Sequence, residues 1–214
     1  MGMLPLVNDL TMWPAARHRA ALLGQARGRV LDVGIGTGLN LRCYSGIDSL
    51  VGLDRSAGML RVCRRRARAM PWPVELIRER AEQLPFAAGE FDTVVATFVL
   101  CSVADPVAAA AEMRRVLRPG GAVLFLEHER DPDERIARWQ RAVRRPWGVL
   151  FGGCDPTRDP LAALTGAGLA IRQTRHFAGR WFPVVRRHVA GIAVAEAPPI
   201  GPAERPRPSL RPSR

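Results

Sequence analysis

The stretch Leu31-Asp32-Val33-Gly34-Ile35-Gly36-Thr37-Gly38 constrains this chain more than any other. The apolar run RVLDV that enters it predicts a buried strand, and Leu39 to Tyr44 predict a short helix on the far side. Glycines at three alternate positions leave the bend between them without side chains, so a ligand can lie directly on the backbone. The spacing is G-x-G-x-G, not the G-x-G-x-x-G of dinucleotide-binding folds. Asp32, two residues before the first glycine, sharpens that distinction. A carboxylate there meets a cationic amino-acid group, directly or through water, and repels a pyrophosphate. Asp54 ends the next predicted strand, SLVGLD, where an acidic side chain can accept hydrogen bonds from both hydroxyls of a ribose. A glycine bend alone is often only a tight turn; with both carboxylates it points to a positively charged nucleoside.

Strands and helices alternate along the rest of the chain. Residues 14–27 read as a helix stopped by Gly28, and Ser56 to about Met70 as a second, closed by Pro71. VELIRE, FDTVVATFVL and GAVLFLEH read as strands, the middle one central and buried. DPVAAAAEMRRVLRPGG reads as a helix with an Asp cap, Pro in its first turn and a Pro-Gly-Gly end. The alternation implies an α/β fold, a doubly wound and mostly parallel sheet with helices on both faces. Residues 131–160 break the rhythm and predict helices over the carboxyl edge of the sheet. LAALTGAGL then reads as a helix, and LAIRQTRHF with HVAGIAVAE as a closing antiparallel pair. The expected organisation is a helical cap over 1–27 and a ligand-binding domain over 28–197 with a substrate-side insertion at 131–160. A tail over 198–214, rich in Pro and Arg, is expected to be disordered.

The net charge of +12 raises nucleic acid or an anionic membrane as partners. Every basic residue is Arg, which with abundant Ala, Gly and Pro looks like the coding bias of a GC-rich genome. In the cluster Arg61, Arg64, Arg65, Arg66 and Arg68, on a predicted helix, four of the five can face water. No aromatic RNA-binding signature accompanies them, so a solvated basic surface is expected rather than a nucleic-acid partner. Cys43, Cys63, Cys101 and Cys154 lie far apart and form no CxxC pair. His18, His176 and His188 are too separated for a metal set, and none is predicted. With no signal peptide and no apolar run near 18 residues, a soluble, reduced, cytoplasmic protein without a transmembrane segment is expected. Oligomeric state is not legible.

From Gly28 to Glu127 these motifs together resemble the class I S-adenosylmethionine-dependent methyltransferases. LDVGIGTG is similar to their first motif, GLD to the second, AEQLPF to the segment that places the adenine, and LRPGG to the turn before the fifth strand. A narrower resemblance, to the methyltransferase-like family of thiol S-methyltransferases, rests on TFVLCSV, the Glu127-His128 pair, WQRAVRRPWGVLFGGCDPTRDPLAAL and VRRHVAGIAVA. The eukaryotic members carry an N-terminal hydrophobic anchor that this chain lacks, so membrane attachment is not carried over. The resemblance implies a seven-stranded Rossmann-like sheet and S-adenosyl-L-methionine as methyl donor. It implies a small-molecule acceptor, a thiol first. An amine or hydroxyl of a lipid, quinone or natural product is the alternative, with an RNA methyltransferase or a non-catalytic binding module behind it.

It also implies donor binding by Asp32, Gly34, Gly36, Gly38 and Asp54, with Thr97 from the fourth strand. Many members place an acidic residue before the Ala of the adenine segment; Arg80 stands there, leaving the Ala81 amide and Glu82 to serve. His128, at the carboxyl end of the fifth strand, is the candidate general base, with Glu127 to position it. The alternative is a histidine that only hydrogen-bonds at the sheet edge or orients a loop. Cys101 lines a pocket or fills core, and Cys154 shapes a loop or packs. Trp139, Trp147, Phe151 and Trp181 form an aromatic acceptor pocket or ordinary core. Asn8 to Trp13 are placed to fold over the site as a lid.

Overall fold

The computed structural model of the protein describes residue 9 and residues 15–179 and 183–195. Apart from Asp9, the expected lid at Asn8 to Trp13 lies outside those residues, as do Trp181 and the tail from Pro198. Among the described residues seven strands form one sheet in the order β3-β2-β1-β4-β5-β7-β6. They are β1 Gly28–Val33, β2 Ile47–Leu53, β3 Val74–Ile77, β4 Phe91–Thr97, β5 Leu117–His128, β6 Leu169–Ala178 and β7 Arg187–Ala195. The pairings from β3 through β5 are parallel, and β7 runs antiparallel to both its neighbours. The α-helices described over their whole length are α1 Ala16–Leu23, α2 Ala57–Ala67, α3 Pro106–Val116, α4 Glu134–Leu150 and α5 Pro160–Gly166. None of the described helices is long and apolar enough to cross a membrane.

Burial of β4 on both faces explains its central place. Val94 and Ala96 pack with Leu31, Val33 and Phe125 on one side of the sheet. Val95 packs with Val30, Leu50, Leu124 and Leu126 on the other. A strand buried on both faces from Thr93 to Thr97 has no face to give to water. On α3, Asp105 accepts hydrogen bonds from the N–H groups of Val107 and Ala108, and Ala109, Ala110, Met113 and Val116 form its buried stripe. Of the Arg cluster on α2, Arg61, Arg64, Arg65 and Arg68 are exposed.

Three local expectations change. The Pro-Gly-Gly segment is strand, not turn: Leu117 already pairs with Phe91, and after a bulge Ala122 pairs with Thr93. Residues 131–160 contain one long helix, α4, followed by a loop up to the cap of α5. β4 stops at Thr97, three residues earlier than its apolar run, because Phe98 turns into the left-handed region with φ 58°. Such a conformation costs a non-glycine residue about 1–3 kcal/mol and needs surroundings that impose it.

Glu127 supplies them. Its buried carboxylate accepts hydrogen bonds from the N–H groups of Val99 at 2.7 Å, Leu100 at 2.9 Å and Cys101 at 3.4 Å. Consecutive residues of a strand point to opposite faces, so Glu127 holds the turn after β4 rather than positioning His128. Burial lifts its pKa to about 7, against the pull of those N–H groups. Glu127→Ala leaves three buried donors without their acceptor, at about 1 kcal/mol or more each. Calorimetry should show Tm lowered by roughly 6–12 °C, with Glu127→Gln, which keeps one acceptor oxygen, losing less.

Candidate active site

Strand order reverses between β1 and β4, and a crevice outside the carboxyl ends of the strands follows there. A cavity of about 440 Å³ fills it. Its first wall is backbone. Gly34 has φ 67°, and a Cβ on it would stand 2.5 Å from Cγ2 of Val99, so no other residue fits that bend without displacing its neighbour. The Gly36 N–H donates to Oδ2 of Asp54 at 3.0 Å, and the Ser56 N–H donates to Oδ1 at 2.7 Å. A carboxylate accepts about four hydrogen bonds, so Asp54 fixes the loop and keeps capacity for a diol. Ala81, Glu82 and Thr97 also line this half. One oxygen of Glu82 is already engaged, accepting from the Ala104 N–H at 2.8 Å.

Asp32 and Gly38 do not line the cavity. Asp32 is 0% exposed, one layer behind the wall. Asn40 Nδ2 donates to both its oxygens, at 3.1 and 2.9 Å, and the Tyr44 hydroxyl donates at 2.8 Å. The same Asn40 amide reaches Oγ1 of Thr97 at 3.0 Å and itself faces the cavity. Asp32 therefore acts through Asn40. Gly38, with φ 83°, begins the 3-10 turn Leu39–Cys43, and a Cβ there would meet Cys63 and Leu41. Arg19 of α1 adds a buried cation to the wall, 5.8 Å above the Phe98 ring. Neither Asn40 nor Arg19 was singled out from sequence; an amide eight residues after Asp32, on the turn behind the glycine bend, was the available signal.

The opposite half is aromatic and sulfur-rich. Phe98, His128, Trp147, Phe151 and His188 line it, with Cys101 and Cys154. Trp147 and Phe151 stack at 4.1 Å. Trp139, grouped with them from sequence, is 44% exposed on the outer side of α4 and is not a pocket residue. Trp147, eight residues and about 80° of net helix rotation further on, faces the cavity. Cys154 lies 3.5 Å from Nδ1 of His128, and the Trp147 Nε1–H donates to its sulfur at 3.4 Å. A hydrogen bond from Cys101, with His128 and Trp147 beside it, pulls the Cys154 thiol down to about 4. The Cys101 thiol is pushed up by Cys154 and by burial. Burial opposes the charged form of His128, but the Cys154 sulfur and Glu127 outweigh it and raise its pKa. His188, desolvated and facing His128, falls to about 4. This half thus sets a thiol pulled down beside an imidazole pushed up, 3.5 Å apart.

Similarity to known proteins agrees with this architecture. Residues 31–125 match the methyltransferase domain family. The chain is 38% identical over 151 residues to a phosphatidylethanolamine N-methyltransferase of Cereibacter sphaeroides, covering 67% of this chain and 74% of that one. It is 33% identical over 172 residues to thiol S-methyltransferase TMT1A of Homo sapiens, covering 77% and 70%. A solved S-adenosylmethionine-dependent methyltransferase of Thermotoga maritima shares the fold with a TM-score of 0.65 at 19% identity, over 89% of this chain and 92% of that one.

Burial raises the pKa of Asp32 to about 7, against the hydrogen bonds from Asn40 and Tyr44. A carboxyl raised in the folded state binds its proton more tightly there than in the unfolded chain. Its contribution to stability is full below the unfolded value and is lost as pH rises toward 7. Asp32→Asn mimics the protonated form, so it should stabilise the ligand-free protein at pH 8, with the gain disappearing near pH 4. Thermal melts of both proteins across that range measure it.

Proposed function

Because this chain belongs to the class I S-adenosylmethionine-dependent methyltransferases, we propose that it methylates a small-molecule acceptor, with a thiol as its preferred class. The observation that carries this reading is the division of one cavity into a backbone-walled half and a half where the His128 imidazole, two cysteine sulfurs and apolar rings meet. S-adenosylmethionine supplies a methyl group activated on a sulfonium sulfur. In this reading Asp54 takes the ribose hydroxyls, the Gly34–Gly36 backbone lies against the donor, and Ala81 and Glu82 border the adenine. Asn40, backed by the Asp32 carboxylate, meets the cationic amino group, and Arg19 meets the carboxylate. Thr97 holds Asn40 in place, and Gly38 shapes the turn that carries it.

The acceptor then enters between Phe98, Trp147 and Phe151, whose faces exclude water and favour an apolar body. A thiol with a pKa of about 8.5 is partly ionised at neutral pH and needs little help to lose its proton. What the pocket adds is positive charge beside the sulfur, from His128. Holding both partners in line contributes the larger share, up to roughly 7–11 kcal/mol. In this reading the N-terminal 1–27 region caps the donor through α1, and the 131–160 insertion closes the acceptor side through α4 and Phe151. An amine acceptor is the second reading, favoured by the relative that acts on phosphatidylethanolamine. Such an acceptor must arrive without its proton, and an imidazolium beside it repels the charged form.

Two measurements test the reading. Asp54→Ala should weaken S-adenosylhomocysteine binding by roughly 10–100-fold in calorimetric titration, the loss of hydrogen bonds to a charged group. His128→Ala should lower kcat for a small aromatic thiol by about 100-fold while that binding stays within about threefold. Methylation of amines with every thiol unreacted would overturn the thiol assignment.

A further inference from the structure

Three soft donors that no CxxC spacing announced converge at the acceptor end of the cavity. Sγ of Cys101, Sγ of Cys154 and a ring nitrogen of His128 all lie within 4.8 Å of one another, and all three residues are buried. They come from separate elements: Cys101 from the turn after β4, His128 from the last position of β5, and Cys154 from the loop after α4. Sequence spacing could not join them, since 26 residues separate His128 from Cys154. The expectation of no metal set therefore rested on local spacing that the sheet topology bypasses.

We propose that Cys101, His128 and Cys154 bind a zinc ion whose fourth coordination position opens into the cavity. Zinc takes tetrahedral S and N ligands at roughly 2.0–2.3 Å, which sets neighbouring donors roughly 3.3–3.8 Å apart. The Cys154–His128 contact, at 3.5 Å, already has that separation. Two cysteines and one histidine with an open position is a donor set of catalytic rather than closed structural zinc. The supports around it are built. The Trp147 Nε1–H reaches the Cys154 sulfur, and the Cys101 N–H is fixed by Glu127. The Asp155 N–H donates to the Cys101 carbonyl at 2.7 Å, tying the loop that carries Cys154 to the turn that carries Cys101. No disulfide joins the two cysteines.

The site rests on the thiol reading for its use. An acceptor thiol binding at the open position loses its proton to solvent and remains a thiolate on the metal. Its sulfur forms the new bond to the methyl carbon as the sulfonium carbon–sulfur bond breaks. That electron pair stays on the departing sulfur, leaving a neutral thioether and a methylated thioether product.

Cobalt(II), added to the full chain without a histidine tag, is the probe. One equivalent should bind with the intense thiolate-to-cobalt charge-transfer absorption and the visible bands of tetrahedral coordination. Cys101→Ser and Cys154→Ser should each reduce the charge-transfer intensity roughly twofold, and zinc should displace the cobalt. S-adenosylhomocysteine binding verifies that each variant is folded; where a serine variant is not, the wild-type spectrum decides. Trp147→Phe, which spares all three donors, should weaken zinc about 10–100-fold as an outer-shell loss. Absence of thiolate absorption in the wild-type protein, or intensity unchanged in both folded serine variants, overturns the site. Thiols methylated by such a protein would leave the acceptor assignment standing without the metal. Stoichiometric zinc in a protein that methylates no thiol would do the reverse.

Discussion

A carboxylate sealed beneath the point where strand order reverses is the constraint on which this structure turns. Asp32 is fully buried, and its carboxylate is held by an asparagine amide and a tyrosine hydroxyl on the turn after the glycine bend and the residue that ends it. The Asn40 amide also reaches Oγ1 of Thr97, and Asn40 and Thr97 both line the cavity. Burying an acid this way is unfavourable in the ligand-free protein, as its raised pKa records. In the proposed reading, a cation meeting Asn40 relieves it. On that reading, stability is traded for affinity at the site, a common arrangement where function needs a strained or desolvated group.

The same logic recurs at the other end. Glu127 is buried to hold three N–H groups of the turn after β4, and that turn keeps Phe98 left-handed and Cys101 facing the cavity. Two buried carboxylates, on β1 and β5, therefore brace the two halves of one pocket from behind. Neither touches the cavity. Each acts through a neighbour, Asn40 in one case and the Val99–Cys101 backbone in the other.

The donor half was largely legible in the sequence because its signals are local. Glycines that take positive φ, an acid at a strand end and an apolar run with no polar face can each be read within ten residues. The alternation of strands and helices, with the closing antiparallel pair, fixed the sheet. The acceptor half was legible only as separate candidates, among them Cys101, His128, Trp147 and Phe151, because its parts meet only through topology. Cys101, His128 and Cys154 sit at three element ends that the parallel crossover brings together. Boundaries failed for similar reasons: β4 ends at Phe98 because a glutamate 29 residues later holds the turn, and LRPGG joins β5 because Phe91 is there to pair with it. Trp139 and Trp147 look alike in sequence, yet their positions on α4 send one outward and the other into the pocket.

A crystal structure with S-adenosylhomocysteine bound tests the division of the cavity most directly. The expected result is a ribose whose hydroxyls meet Asp54, an amino group on Asn40, and a thioether sulfur facing His128 and Cys154. A nucleoside lying against Trp147 and Phe151, or a sulfur turned away from His128, would contradict the assignment of the two halves.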